Sequence, residues 1–347
     1  MSRVTAKDVA KVAGVSRTTV SLVLNGVTSA RIPDETRARI IEVAKNLNYQ
    51  PNQFAQGLKT NRSKTIAFIL PSISNPFYPY VAQGIEEVAL DHGYTVFICN
   101  TYRNPEEEKR YLMALSQRQV DGIILSGYFH SNELLQEFLE RGVAITTFSR
   151  NPNLSQADQV LVDNMHGGFL ATKHLLDLGH QHIAYLAGPM IYQSRLERVE
   201  GYKKAHIDCG LKVDDSLIIA STTESEYRDQ TYDLYNGYNL AKQLLKQKKN
   251  VTAAVVINDM TAIGAMKAFR EEGVRIPDDI SLVAYDNIPM ASVVEPGLTT
   301  IDQPKFERGK AAAELLVRRL EEPENKERRS VTFIPSLIVR ESSRRIG

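Results

Sequence analysis

Between residues 65 and 286 the sequence alternates short apolar runs with longer stretches of helical periodicity, and that pattern leaves few folds open. The runs fall at 66–70, 95–98, 122–125, 144–148, 183–186, 253–257 and 281–285, and helical stretches lie between most of them at 81–92, 169–178, 238–246 and 262–272. Runs this short and this apolar are strands buried on both faces, which requires parallel pairing with helical crossovers. The roughly 280 residues involved are too many for one doubly wound sheet and suit two. The chain is 43% hydrophobic and 24% charged, globular rather than disordered values. No apolar run approaches the roughly 18–20 residues that span a bilayer, and MSRVTAKDVAKVAG has no signal-peptide core. Two cysteines, Cys99 and Cys209, cannot make a disulfide framework or a cysteine-rich zinc site. A reduced, cytoplasmic protein without a cofactor is expected.

The net charge of +1 hides an asymmetry. Residues 1–64 hold eleven Lys/Arg against four Asp/Glu, and the remaining 283 hold 31 against 37. A basic block joined to an acidic one suggests a module for a polyanion, or simply a solvated basic surface. The local pattern decides between them. Thr5 to Asp8 is a capping-box start, Val9, Val12 and Ala13 follow at helical spacing, and Gly14 supplies a left-handed stop. Ser16 opens a second helix with Val20, Val23 and Leu24 inward. A third begins near Pro33–Thr36 and buries Ile40, Val43, Ala44 and Leu47.

Two short helices on a tight turn, covered by a third, form a helix-turn-helix. Its second helix can lie in a major groove about 12 Å wide. Arg17, Thr18 and Leu22 face away from the apolar stripe. Arg17 and Thr18 are placed for base edges, and Thr19 and Ser21, near the positive end of the helix, for phosphates.

The stretch VTAKDVAKVAGVSRTTVSLVLNG, followed by IPDETRARIIEVAKNLNYQPN, closely resembles the headpiece of the lactose-repressor/galactose-repressor (LacI-type) transcription regulators. The resemblance extends over nearly the whole chain. It implies a repressor that binds a pseudo-palindromic operator as a homodimer under control of a small effector. Thr5, Ser16, Asn25, Tyr49 and Asn52 complete the expected DNA-contacting set. In that family the segment after Y-x-P-N is a hinge helix that orders on the operator and inserts a leucine into the minor groove. Here the segment is NQFAQGLK at 52–59, making Leu58 the wedge and Ala55 its neighbour. Eight residues including Gly57 are too few for a stable lone helix, so folding on binding fits. Gln56 stands where relatives often carry arginine.

The resemblance also implies an all-α headpiece followed by a two-lobed α/β core like that of periplasmic sugar-binding proteins, with two doubly wound parallel sheets. The expected division is 1–50 headpiece, 51–63 hinge and 64–347 core. Its first lobe spans about 64–163 and 297–325, and its second about 164–296 and 326–347. Ligands of such sheets bind at the carboxyl ends of the strands. Residues just past the predicted strands include Phe77 and Tyr78, Arg198, Asp259 and Asp286. Aromatic faces stack on sugar rings, while charged groups bind hydroxyls. Each residue also has an ordinary alternative: Phe77 in the core, Arg198 as a helix cap, Asp286 in a turn. Carried over motif by motif, Phe77 and Tyr78 stack on the effector, Arg198 clamps it, Asp286 binds hydroxyls, and Tyr192 and Ser194 line the second-lobe wall. Asp163 and Asp259 are further contacts, and Tyr232, in the long stretch 222–236, closes over the ligand. The purine-binding branch has arginine where this chain has Tyr192, which argues against a purine.

Catalytic motifs are missing: there is no G-x-S-x-G elbow, G-x-x-x-x-G-K loop, H-E-x-x-H pair or G-x-G-x-x-G after the first strand. His180 and His182 form a lone H-x-H, ordinarily a surface feature. A transport binding protein shares the core but not the basic headpiece. The last residues, ESSRRIG, carry no leucine heptads of the kind that tetramerise the lactose repressor, so a dimer is expected.

Overall fold

The computed structural model describes residues 4–24, 31–49, 62–127, 130–221, 232–247, 250–325 and 327–346. They form two compact units, Met1–Ser63 and Lys64–Gly347. No helix of the described residues is long and apolar enough to cross a membrane.

The first unit contains α1 (Ala6–Ala13), α2 (Arg17–Leu24) and α3 (Asp34–Asn46). At the start of α1 the Asp8 carboxylate accepts the Thr5 backbone N–H at 2.9 Å and the Thr5 hydroxyl at 2.7 Å. Gly14 closes the helix at φ 67°, a conformation that costs glycine little. Ser16 caps α2, its hydroxyl oxygen accepting from Thr19 N–H at 3.0 Å. The buried residues are Val9, Ala10, Ala13, Val20, Val23, Ile40 and Ala44. Val12 is not among them: it is 62% exposed, and Ala10 faces inward in its place, because the close approach of the three helices leaves room for a small side chain.

The second unit begins with β1 (Thr65–Leu70), α4 (Phe77–Asp91), β2 (Thr95–Asn100), α5 (Pro105–Gln117), β3 (Gly122–Leu125), α6 (Asn132–Glu140), β4 (Ala144–Thr147) and β5 (Asp158–Val162). The chain then passes into a second lobe of α7 (Asn164–Asp177), β6 (Ile183–Ala187), α8 (Gln193–Asp208), β7 (Ile218–Ala220), α9 (Tyr232–Lys246), β8 (Ala253–Val256), α10 (Asp259–Glu271), β9 (Ser281–Asp286) and β10 (Thr299–Asp302). It closes with α11 (Lys305–Glu321), β11 (Ser330–Phe333) and β12 (Ser336–Ile338). One six-stranded sheet has the order β11-β5-β4-β3-β1-β2 and the other β12-β10-β9-β8-β6-β7. All pairings are parallel except that of β10 with β12.

The lobe boundaries differ from the sequence expectation at two of three places. The first passage, at Asp163, is as expected. β10, assigned by the sequence to the first lobe, pairs with β9 in the second. β11, assigned to the second, pairs with β5 in the first. The physical reason is the ladder itself. Thr299, Thr300 and Ile301 are buried beside β9, whereas β11 is a half-exposed edge strand with no apolar run to announce it. The later passages therefore fall between β10 and α11, and between β11 and β12.

Three helix pairs cover the sheets through glycines, and one pair positions a cleft residue. On α8, a Cβ at Gly201 would overlap the Met165 carbonyl oxygen, and on α7 one at Gly168 would overlap the Arg198 carbonyl oxygen. Backbone-to-backbone contact at these points fixes how far Arg198 stands from α7. Gly201→Ala is expected to overpack this contact by about 1–3 kcal/mol and lower the melting midpoint of the core by about 3–10 °C. A differential-scanning trace with an unchanged midpoint would show that the helices separate at no cost.

Candidate effector cleft and DNA-reading face

The carboxyl ends of both sheets open onto one cavity of about 390 Å³. From the first lobe it is lined by Asn75, Phe77 and Tyr78 after β1, Arg103 after β2, Ser126 after β3, and Phe148, Ser149 and Arg150 after β4. From the second come Tyr192, Ser194, Arg195 and Arg198 after β6, Ile257 and Asn258 after β8, and Asp286 at the end of β9. Gln303 and Arg308, after β10, complete the wall.

Several of these side chains are held in place. Phe77 and Tyr78 stand edge to face, centroids 5.2 Å apart, and burial pushes the Tyr78 phenol up to about 12. Arg198 lies over the Tyr285 ring at 3.5 Å. It donates from Nε to Asn164 Oδ1 at 3.1 Å and from Nη1 to the Ile257 carbonyl at 2.8 Å. Arg195 covers the Tyr192 ring at 4.1 Å and donates to the Pro189 carbonyl at 2.7 Å. Asp286 has φ 111°, a backbone conformation rare outside glycine that stores local strain. Its Oδ1 accepts from Gln303 Nε2 at 2.5 Å, and Gln303 Oε1 in turn accepts from Arg308 Nη1 at 2.6 Å.

Besides the Lys305–Asp302 pair, 3.1 Å apart where the chain passes between the lobes, two ion pairs among the described residues join the lobes beside the cavity. Arg103 Nη2 lies 3.3 Å from Asp233 Oδ1, with side-chain exposures of 10% and 8%. Asn75 Nδ2 donates to Asp233 Oδ2 at 3.2 Å. On the other flank Arg150 meets Glu197 at 2.9 Å, with the arginine 58% exposed.

Burial pushes the Asp286 carboxyl up to about 6, against the opposing pull of Arg198 and Lys305. A carboxyl raised in the folded state favours folding most when protonated. That contribution is complete near the unfolded value of about 4 and is lost as pH rises through about 6. Asp286→Asn, which mimics the protonated form, is therefore expected to raise the melting midpoint at pH 7.5. The gain should shrink toward pH 5. A gain that grew on acidification would contradict the assignment.

Six of the nine residues expected at the effector site line this cavity: Phe77, Tyr78, Tyr192, Ser194, Arg198 and Asp286. Three do not. Asp163 caps α7, its Oδ1 accepting from His166 N–H at 2.8 Å. Asp259 is fully buried and pins the loop after β9, accepting from Ile288 N–H at 2.8 Å and from the Thr300 hydroxyl at 2.5 Å; its neighbour Asn258 reaches the cavity instead. Tyr232 is buried beneath Arg103, whose guanidinium covers its ring at 4.8 Å. Arg103, Arg150, Arg195 and Arg308 also line the cavity, outside the set expected from the sequence. Each follows a strand, the one signal of their position in the sequence. His180 is no metal ligand here: its ring nitrogens lie 2.9 Å from the Thr252 hydroxyl and 3.0 Å from the Arg344 carbonyl oxygen.

On the headpiece Thr5, Ser16, Arg17, Thr18 and Ser21 are exposed, with Thr19 and Leu22 half-buried. Arg17 and Thr18 fall on the first turn of α2, the end from which base edges are reached. The Ser16 and Thr19 hydroxyls lie 2.8 Å apart and already serve the cap. Tyr49 packs partly against the headpiece core. Asn25, Asn52, Ala55 and Leu58 lie outside the described residues, as does the stretch 222–231.

A basic helix-turn-helix and a two-lobed core with a cleft at its strand ends occur here in one chain, and sequence profiles match both. "Bacterial regulatory proteins, lacI family" matches residues 5–52, and "Periplasmic binding proteins and sugar binding domain of LacI family" matches residues 63–342. The chain belongs to the LacI family. It is 36% identical over 340 residues to the HTH-type transcriptional repressor PurR of Aliivibrio fischeri, covering 97% of this chain and 98% of that one. The lac repressor dimer bound to operator and the anti-inducer ONPF superposes with a TM-score of 0.82 at 26% identity, covering 99% of this chain and 100% of that one. The transcriptional regulator CelR in complex with cellobiose gives 0.73 at 30% identity, covering 98% and 100%. As a LacI-family member the chain is a DNA-binding transcriptional regulator with an effector-binding core, and not an enzyme.

Proposed function

We propose that the chain is a repressor that binds a pseudo-palindromic operator as a homodimer and answers to a sugar or sugar derivative held in the interlobe cleft. The observation that carries the effector half of this reading is the cavity itself. Aromatic faces, guanidinium groups and the Asp286 carboxyl meet there from both lobes, the composition that polyhydroxylated ligands require. The CelR neighbour's complex with cellobiose supports the ligand class, and the operator-bound lac repressor dimer supports the assembly. One headpiece makes few contacts, so useful affinity needs two half-sites about one helical turn apart. Arg17 and Thr18 read bases, and Thr5, Thr19 and Ser21 serve phosphates. Asn52, Ala55 and the Leu58 wedge act in the minor groove. Effector shifts the lobe-closure equilibrium and changes the grip on DNA, for which a coupling of about 1–3 kcal/mol suffices.

The test is fluorescence anisotropy with two-fold-symmetric duplexes from the neighbourhood of the gene, with and without a sugar panel. Saturable binding by two chains per duplex, shifted several-fold by a sugar, is the expected result. Binding by one chain, or binding indifferent to every sugar and sugar derivative, would overturn the corresponding half of the proposal.

A further inference from the structure

Among the described residues, five arginines line the cleft, namely Arg103, Arg150, Arg195, Arg198 and Arg308, against one lining carboxylate, Asp286. The distribution of counter-charge among them is uneven. Arg103 is answered by Asp233 and Arg150 by Glu197. The hydrogen bonds of Arg198 run to the Asn164 side-chain oxygen and the Ile257 carbonyl, and that of Arg308 to the Gln303 side-chain oxygen. These acceptors are neutral. Arg308 is 5% exposed, and its Nε is buried without a hydrogen-bond partner. It packs 5.6 Å from the Phe77 centroid and 5.1 Å from that of Phe148.

A buried guanidinium without a full set of acceptors is costly unless something pairs with it. Burial draws the Arg308 group down only to about 10, so it stays cationic at neutral pH. Asp286, the one carboxyl shared by this cluster, is itself pushed up to about 6. Neutral hydroxyls do not call for such an excess of cations. A planar carboxylate or a phosphate does, because its oxygens match the fork of a guanidinium.

We infer that the ligand recognised in this cleft is a polyhydroxylated compound carrying an anionic group, carboxylate or phosphate, seated against Arg198 and Arg308. The inference rests on the effector reading of the cleft and narrows its ligand class. The aromatic wall of Phe77, Phe148 and Tyr192 takes the carbon skeleton, and the arginines take the acid.

The experiment is isothermal titration of the full-length chain with matched sets: glucose, glucuronate and glucose 6-phosphate; galactose and galacturonate; ribose and ribose 5-phosphate; and orthophosphate alone. At least one acid should bind at least about tenfold more tightly than its neutral partner. The uronate and phosphate arms separate the two sources of the charge. Arg308→Gln and, independently, Arg198→Gln should remove the preference, while Arg308→Lys retains part of it. Melting curves of each variant verify folding. A neutral sugar that binds as tightly as its acids overturns the inference, as does the absence of binding by every acid and by orthophosphate at millimolar concentration. Operator affinity, measured on the same samples, separates the two layers. A neutral sugar that binds as tightly as its acids and shifts operator affinity defeats the anionic inference alone. An acid that binds through Arg308 and leaves operator affinity untouched supports it and defeats the effector reading.

Discussion

Arg198→Ala is expected to abolish the response to effector while leaving operator binding intact. The guanidinium joins α7, through Asn164, to the end of β8, through Ile257, and its face rests on Tyr285. It thus reaches the cavity as a group already fixed in orientation, and little entropy is lost when it binds ligand. Hydrogen bonds to a charged group contribute about 1.5–3 kcal/mol each. Loss of a two-pronged contact should therefore weaken effector binding by about a hundredfold or more. Titration calorimetry reads the affinity, and operator anisotropy reads the lost response. If the variant still responds at the same effector concentration, Arg198 is a scaffold residue and the ligand sits elsewhere in the cleft.

The second large effect is expected from Asp233→Ala, which leaves the cavity walls in place and unfastens the lobes. Among the described residues two ion pairs cross the cleft away from the points where the chain passes between lobes, and burial decides which matters. The Arg150–Glu197 pair, with its arginine 58% exposed, belongs with surface pairs that contribute about 0–1 kcal/mol. Arg103 and Asp233 are about nine-tenths buried, and Asn75 donates to the same carboxylate. Removing the acid leaves Arg103 buried without its counter-ion in the closed form, at a cost of about 3–5 kcal/mol. The open form allows that charge to reach water. The closed population should fall, with effector affinity about a hundredfold weaker and a faster off-rate. Glu197→Gln should cost less than about tenfold. Stopped-flow effector dissociation and small-angle scattering check both variants. Equal effects from the two would show that burial does not set the closure energy.

Much of this architecture is legible in the chain because parallel strands buried on both faces leave unbroken apolar runs; 66–70 and 281–285 are examples. The edge strands leave no such mark. β11 is half exposed and β12 is three residues long, so the later passages between lobes were misplaced. In the cleft, the rule that functional groups follow strand ends located Phe77, Arg198 and Asp286. It also selects Asp259, and the family resemblance adds Asp163; both stand just past strands but turn their carboxylates to a loop and a helix cap. Sequence position alone does not distinguish a carboxylate that caps from one that faces a ligand. Arg103, Arg150 and Arg308 obey the same rule, yet an arginine after a strand is ordinarily solvated. Only the packing of the two lobes turns these inward.

Occupancy of the cleft is proposed to govern a cationic, base-reading grip on duplex DNA. Operator affinity measured from 50 to 300 mM salt, with and without a bound cleft ligand, for the native chain and Arg17→Ala, tests this. The expected slope of log K against log salt is about −5 or steeper, as six or more neutralised phosphates produce. Arg17→Ala should lose about 1–3 kcal/mol, and adding the ligand should shift affinity by about 5- to 150-fold. A flat salt dependence, or an affinity that ignores a ligand shown by calorimetry to fill the cleft, would contradict the proposal.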